Sequence, residues 1–533
     1  MTATSRMTRA RLVAAVLAST ALLAGCSAGS GTTGTTPSPE PGQVDGEDTA
    51  ATDDDAPDDE DTAPAGSSET VRLGLVAAPA SLDFTTSGGA AIPQVMMDNV
   101  YETLVTIDEG EIVPALAESW EVSEDRTTYT FTLKEGVRFS DGSPFTAEDA
   151  MFSIERVSSD AWTNGLAAKL DVVESVQAPD DTTVVVTLSR PSNEFLYSMT
   201  TLVGAMFDTE GVANLAEEPI GTGPFVFEDW DRGSMITLAR NDDYHGEAPY
   251  FQTVEVRYFR DGNALNNAML TDAIDIVGTV QAPEALAEFE GGAYQIIEGT
   301  TNGEVVLSMN QEEGNPLADR ALRQAVRHAL DHQQLMDTCW AGKGTLIGSM
   351  APPTDPWYED RTGDYPFDQD RARELIEEAG AQDTTLRLRI PTLPYAVSCG
   401  TVVESMLEEV GLDVTIDELE FPSAWLETVF TNQDHDMSIV AHVEGRDMPA
   451  VFGPGYYTTY GTDEVQALFE AADSGTEQEQ VEAMADAARL ISEDAAADFL
   501  FLLPNLMVSD PDITGLPENM LTESFPLADL ARD

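Results

Sequence analysis

The sequence predicts an α/β fold, and three observations carry that expectation. Some stretches alternate apolar and polar residues with period two, others place apolar residues at i, i+3, i+4 and i+7, and between residues 375 and 416 the two patterns take turns. Taken along the chain, strands are predicted where Tyr129, Phe131 and Leu133 alternate with Thr128, Thr130 and Thr132, at Val184, Val186 and Leu188, and at Val254, Val256 and Tyr258. Leu322, Ala325, Val326, Ala329 and Leu330 form one apolar stripe, which predicts a helix from about Asp319 to Asp337. Leu375, Ile376 and Ala379 mark a helix that stops at Gly380, before a strand from Leu386 to Ile390. Val403, Met406, Leu407 and Val410 mark the next, ended by Gly411 ahead of a strand carrying Leu412, Val414 and Ile416. No Gly-rich phosphate loop accompanies this alternation, so the expectation is a mixed-sheet binding domain and not a nucleotide fold.

Composition removes several classes. The 533 residues hold 26 Lys+Arg against 96 Asp+Glu, a formal charge of −70, which opposes nucleic-acid backbones and anionic membrane surfaces alike. A hydrophobic content of 42% is enough for large cores in two to four domains. Lysine occurs only at Lys134, Lys169 and Lys343, so Arg is the dominant cation.

At the N-terminus, Arg6, Arg9 and Arg11 precede the apolar run Leu12 to Leu23, which is too short to span a bilayer as a mature helix. Residues 1–25 read as a secretory signal. The following Leu23-Ala24-Gly25-Cys26 resembles a bacterial lipobox, in which the Cys26 thiol is diacylated and holds the mature chain on the outer face of the cytoplasmic membrane. Residues 26–68 are rich in Gly, Thr, Ser, Pro, Ala, Asp and Glu, carry no Lys or Arg, and have Val44 as their one bulky aliphatic residue; a disordered, self-repelling linker is expected. No other apolar stretch approaches the length of a membrane span. Cys339 and Cys399 remain, in a compartment that permits disulfides; a bridge between them and two separately buried thiols both fit.

A search for chemistry returns mostly absences. Gly-x-Ser-x-Gly, His-Glu-x-x-His, the phosphate loop and Cys-x-x-Cys are missing, and there are five histidines. His328 and His332 share a helical spacing with no third ligand implied, and His442-x-Glu444 lacks the cysteines a deaminase needs. No catalytic residue, metal or cofactor is expected.

Three segments together resemble solute-binding protein family 5 of ABC importers, the group of oligopeptide-, dipeptide- and nickel-binding lipoproteins. They are Pro114-Ala-Leu-Ala-Glu-Ser-Trp120 through Tyr129–Phe139 to Asp141–Ala150; Gly221-Thr-Gly-Pro-Phe225 with Leu238–Asn241 and Tyr244; and Leu322–Asp331 with Pro352-Pro353 and Asp370-Arg-Ala-Arg373. Each has a local physical reading. Asp141-Gly142 makes a turn, Thr146 caps a helix whose first turn holds Glu148 and Asp149, and Gly221-Thr-Gly-Pro224 is a turn too tight for side chains.

The resemblance implies a type II periplasmic-binding fold: two lobes with mixed sheets, a hinged ligand cleft and an additional domain. By comparison, lobe I is expected from 69–108, 216–298 and 498–533, the additional domain from 109–215, and lobe II from 299–497. It further implies closure of the lobes over a small solute, most simply an oligopeptide held as an added strand, and delivery to an ABC permease with its ATPase subunits. Nickel complexes, glycans, other organic solutes, and a non-transport peptide receptor or chaperone are the alternatives. Peptide-binding relatives carry an acidic residue for the ligand's α-amine in a Trp-x-Ala-Asp-Tyr-like stretch; here the matching stretch is Asp436 to Pro449, without the Trp or the Ala-Asp-Tyr. Glu444 and Asp447 flank the expected position as cation acceptors, Arg446 is suited to a carboxylate, and His442 takes the Trp place. Trp425, Tyr456 and Tyr457 are candidate aromatic walls.

Overall fold

The computed structural model describes residues 70–108 and 110–533. The signal segment, Cys26 and the acidic linker to residue 68 lie outside the described residues.

The strand alternation builds a sheet of ten strands. In Thr253–Tyr258, Val254 and Val256 are fully buried while Thr253, Glu255 and Arg257 are half-buried, so one face packs inward. This strand pairs in parallel with Thr70–Leu75, and Met235–Arg240 and Phe225–Asp231 extend the same end by antiparallel pairing. At the other end Thr385–Pro391 pairs in parallel with Asp413–Leu419 and with Met437–His442. Two long antiparallel strands, Gln295–Met309 and Ala497–Ser509, join the ends. Their register shifts between Thr300 and Glu304, where the pairing passes from one end of the sheet to the other. Val71, Leu73, Leu238, Val254 and Val256 belong to one apolar cluster, and Leu307, Leu322, Val326, Leu386, Leu388 and Val403 to a second.

A separate four-stranded antiparallel sheet runs in the order Ala117–Val122, Thr128–Leu133, Thr183–Leu188, Val173–Asp180. The helix Ala147–Val157 buries Ala147, Ala150, Ile154 and Val157, and it opens as the sequence predicts: the Asp149 carboxylate accepts from the Thr146 N–H and hydroxyl. The Gly221 turn is equally constrained. A Cβ on Gly221 would sit 1.9 Å from the Val100 carbonyl oxygen, and one on Gly223 2.5 Å from that of Asn99, just before the chain enters the sheet at Phe225.

The helix predicted from 319 to 337 is two helices, Arg320–Ala329 and His332–Cys339. Leu330 takes an extended conformation, and the Asp331 carboxylate accepts from the Gln334 N–H to start the second helix. His328 and His332 therefore lie on different helices. The apolar stripe is present, but Arg323 and Arg327 are buried beside it. Arg323 donates to the carbonyls of Leu317, Asp494 and Ala495, two of which close the helix Glu477–Glu493.

Cys339, ending its helix, is bonded to Cys399 in the helix Pro394–Glu409, with the two Cα atoms 4.8 Å apart. Both residues belong to the second apolar cluster. Closing a span of 60 residues contributes roughly 4 kcal/mol in the chain-entropy account.

Candidate functional site

Met437–His442 ends at the cleft, and the chain then turns through Val443 to Asp447 into the short helix Met448–Val451. Two features set the turn. A Cβ on Gly445 would meet the Tyr197 hydroxyl at 2.0 Å, and Arg446 has the left-handed φ of 60°. The result brings Asp447 back to His442 while Glu444 reaches Lys169 and Arg446 reaches Tyr197.

His442 is the centre of one wall. Its Nε2 lies 2.9 Å from the Tyr457 hydroxyl, its Nδ1 lies 3.5 Å from Asp447 Oδ2, and its ring stacks on Tyr457. A carboxylate only accepts, which assigns the proton to Nδ1 and leaves Nε2 to accept from the tyrosine. Trp425 packs edge-on against Tyr457 and donates its indole N–H to Ser438 Oγ at 3.1 Å. Trp425 and Tyr457 are 4% and 0% exposed, so they back the wall, whereas Tyr456 is half-buried beside the His442 ring. Burial pushes the Asp447 carboxyl above its ordinary range while His442 pulls against the rise; its side chain is 10% exposed.

Glu444 and Arg446 face the opposite side. Glu444 Oε2 accepts from Lys169 Nζ at 2.7 Å, across 275 residues of sequence. Burial works against the Lys169 charge, but Glu444, then Glu523 and Asp447, outweigh it and hold the ammonium above its ordinary range. Arg446 lies 4.4 Å over the Tyr197 ring and 5.4 Å over that of Trp357, and it makes no side-chain hydrogen bond to another described residue.

Residues that sequence reasoning missed complete the cleft. Asp98, Lys169, Tyr197, Leu521 and Glu523 line a pocket together with Glu444. Burial raises Glu523 to about 8, with Glu444 adding to the rise, and raises Glu194 and Asp355 to about 7, with Arg446 opposing in both. Glu304 is 3% exposed, directly opposite His442 in the strand pairing, and lifted well above its ordinary range by burial and then by Asp447. Two signals were available: Lys169 is one of three lysines, and Glu304 is a lone charge ahead of the apolar run Val305-Val306-Leu307. Among the described residues, no group of three or more His, Cys, Asp and Glu is arranged to hold a metal ion.

Contacts beyond the cleft join the same two sides. Asp473, near the end of the helix Asp463–Ser474, accepts from Ser192 Oγ at 2.6 Å and the Glu194 N–H at 3.0 Å, and also pairs with Arg190. Asn193 donates to the carbonyls of Ala472 and Gly475, and Arg126 donates to Asn193 Oδ1.

The family model for bacterial extracellular solute-binding proteins, family 5 (middle), matches residues 111–464. The chain belongs to that family. This family 5 chain is 30% identical over 348 residues to a Brucella ovis protein named as an ABC transporter peptide-binding protein, covering 61% of this chain and 64% of that one. It thus spans about 64% of the length of the curated relatives it matches first. It is 25% identical over 487 residues to an Escherichia coli protein named as a D,D-dipeptide-binding periplasmic protein, DdpA, covering 85% and 92%. The oligopeptide-binding protein AppA from Bacillus subtilis, solved with a nonapeptide, superposes with a TM-score of 0.76 at 21% identity over 88% of this chain and 99% of that one. The architecture is the type II periplasmic-binding fold, two lobes about a hinged cleft with an additional domain. Family 5 is a family of extracytoplasmic binding proteins, not of enzymes. Among the described residues, no helix is long and apolar enough to cross a membrane.

Proposed function

We propose that this chain is the substrate-binding lipoprotein of an ABC importer, tethered outside the cytoplasmic membrane through Cys26, capturing an oligopeptide between its lobes and presenting it to a permease with ATPase subunits. In this reading lobe I comprises 69–108, 216–298 and 498–533, the additional domain 109–215, and lobe II 299–497. The names of the relatives support a peptide, and the lipobox-like Leu23–Cys26 supports the tether.

One observation carries the choice of ligand. Asp447 is an enclosed acid whose nearest partner is the neutral-capable His442, while Glu444 is already engaged by Lys169. A peptide α-amine at Asp447 supplies the missing positive charge, and Arg446, stacked but not hydrogen-bonded, is placed for a ligand carboxylate. The main chain between them adds as a strand.

Native mass spectrometry of the full chain, purified from cells grown on peptide-rich medium, tests the reading. The expected result is a ladder of short peptides; a single metal-complex mass, or no bound mass together with no thermal shift by peptide mixtures, overturns it. Asp447→Asn is expected to weaken peptide binding at least about tenfold, since it removes one partner of an enclosed charge pair.

A further inference from the structure

Glu304, opposite His442 in the strand pairing, is 3% exposed, and its Oε2 has no hydrogen-bond partner among the described residues. Buried polar atoms are ordinarily paired, so an orphan carboxylate oxygen marks the place of an absent donor. None of the described residues supplies one: the charged groups that face Glu304 are Asp447 and Asp355, both acids. Asp355 in turn faces Arg446, Asp447 and Glu194, and Glu194 faces Arg446, Asp473 and Lys169. Around the cleft, Asp98, Glu194, Glu304, Asp355, Glu444, Asp447 and Glu523 stand against two permanent cations, Lys169 and Arg446, with His442 as the third basic group. Lys169 is bonded to Glu444, and Arg446 is stacked between rings. A single ligand amine at Asp447 therefore leaves Glu304 unanswered, and Asp355 with Arg446 as its one facing cation.

We propose that Glu304, with Asp355 beside it, forms a second cation subsite, so that the solute of this chain carries two positive charges, a basic side chain in addition to its α-amine. The inference rests on the peptide reading of the cleft and goes beyond it, because that reading requires one amine only. The strand register supports it: Glu304 lies directly opposite His442, the residue that pairs with Asp447. Charge pairing in so enclosed a place is strong and selective, since a neutral side chain leaves the acid desolvated and alone. With Asp355 and Glu194 at about 7, and Glu304 lifted well above its ordinary range by burial, the subsite holds protons near neutrality when no ligand is bound. An arriving cation expels them, whereas a neutral donor does not.

Titration calorimetry on the full chain tests this with alanine tripeptides in which one residue at a time is lysine or norleucine, run in two buffers of different ionisation heat. The lysine peptide of one position is expected to bind at least about tenfold tighter than its norleucine counterpart, releasing more protons. Glu304→Gln and Asp355→Asn are each expected to reduce that ratio to about twofold or less; the second variant covers the case in which the more enclosed Glu304 is needed for folding. Equal affinity of lysine and norleucine peptides at every position overturns the second subsite, as does a ratio that persists in both variants. If no tripeptide binds, the peptide reading fails by itself. Diaminopentane against pentylamine then decides the subsite: a preference for the diamine that Asp355→Asn abolishes sustains it, and no preference overturns it.

Discussion

Asp498 is fully buried, with Arg327 Nε at 3.1 Å and His332 Nε2 at 3.0 Å from its carboxylate. Burial opposes its charge, but His332 and Arg327 together outweigh burial and hold the carboxyl below its ordinary range. Arg327 also donates to the Ser492 carbonyl and lies 4.1 Å over the Tyr365 ring. Arg327→Met is expected to cost about 3 to 5 kcal/mol of stability, because it leaves the buried Asp498 carboxylate with His332 alone and the Ser492 carbonyl without its donor. Urea unfolding measures this, and a loss below about 1 kcal/mol would contradict it. Residues such as these show where local reading stops. His442, Glu444, Arg446 and Asp447 could be nominated together because a single hexapeptide holds them. Glu194, Glu304, Asp355, Lys169 and Glu523 come from five separate stretches, and Glu194, Asp355 and Glu523 are locally indistinguishable from the rest of the 96 acids. Only folding selects them, by removing their water.

The loop carrying Ser192 and Asn193 and the end of the helix Asp463–Ser474 form a clasp outside the cleft. Arg190 is 53% exposed and adds little to it. The stronger elements are the Asp473 carboxylate, accepting from a hydroxyl and a backbone N–H, and the Asn193 amide, reaching two carbonyls that end the helix. Asp473→Ala is expected to favour the open form of the ligand-free protein. A larger radius of gyration by small-angle scattering and about tenfold weaker solute binding would show it, since only the closed fraction holds ligand. An unchanged radius with unchanged affinity would mean the clasp is passive. Such a clasp was invisible beforehand, because neither segment has a pattern that names the other. Strands and helices, by contrast, were readable from periodicity. The helix expected to run past Leu330 failed because an apolar stripe records a face and not continuity. Asp331, which starts the second helix, was read as part of the first.

The molecule as a whole carries an unusual proton inventory. Asp355 and Glu194 are held at about 7 and Glu523 at about 8, each first by burial. The folded chain therefore binds protons there that the unfolded chain releases near the ordinary carboxylate value of about 4. Their contribution to stability is complete below about pH 4 and is lost as pH rises through about 7 to 8. Asp275, Asp436 and Asp498, held below their ordinary range, act oppositely, but their contribution falls away only at acid pH below that window. The melting temperature of the ligand-free chain is thus expected to fall by several degrees between about pH 5.5 and about pH 8.5, and Asp355→Asn to flatten the fall. A temperature that holds steady or rises over that interval would refute the assignment. The α/β class was legible from composition and periodicity. The sharing of two long strands by both ends of the sheet was not, because those strands lie some 200 residues apart, Gln295–Met309 and Ala497–Ser509.

Lys169 belongs to a chain with only two other lysines, Lys134 and Lys343, and it alone of the three lines the cleft. Acylating reagents, which on most proteins give a crowded pattern, here have three side-chain targets. A peptide digest after brief labelling resolves each target separately, with Lys134 and Lys343 as internal standards for reagent and time. Protection confined to Lys169 would then read occupancy of the cleft directly, on unmodified protein, in mixtures where the solute itself has not been identified.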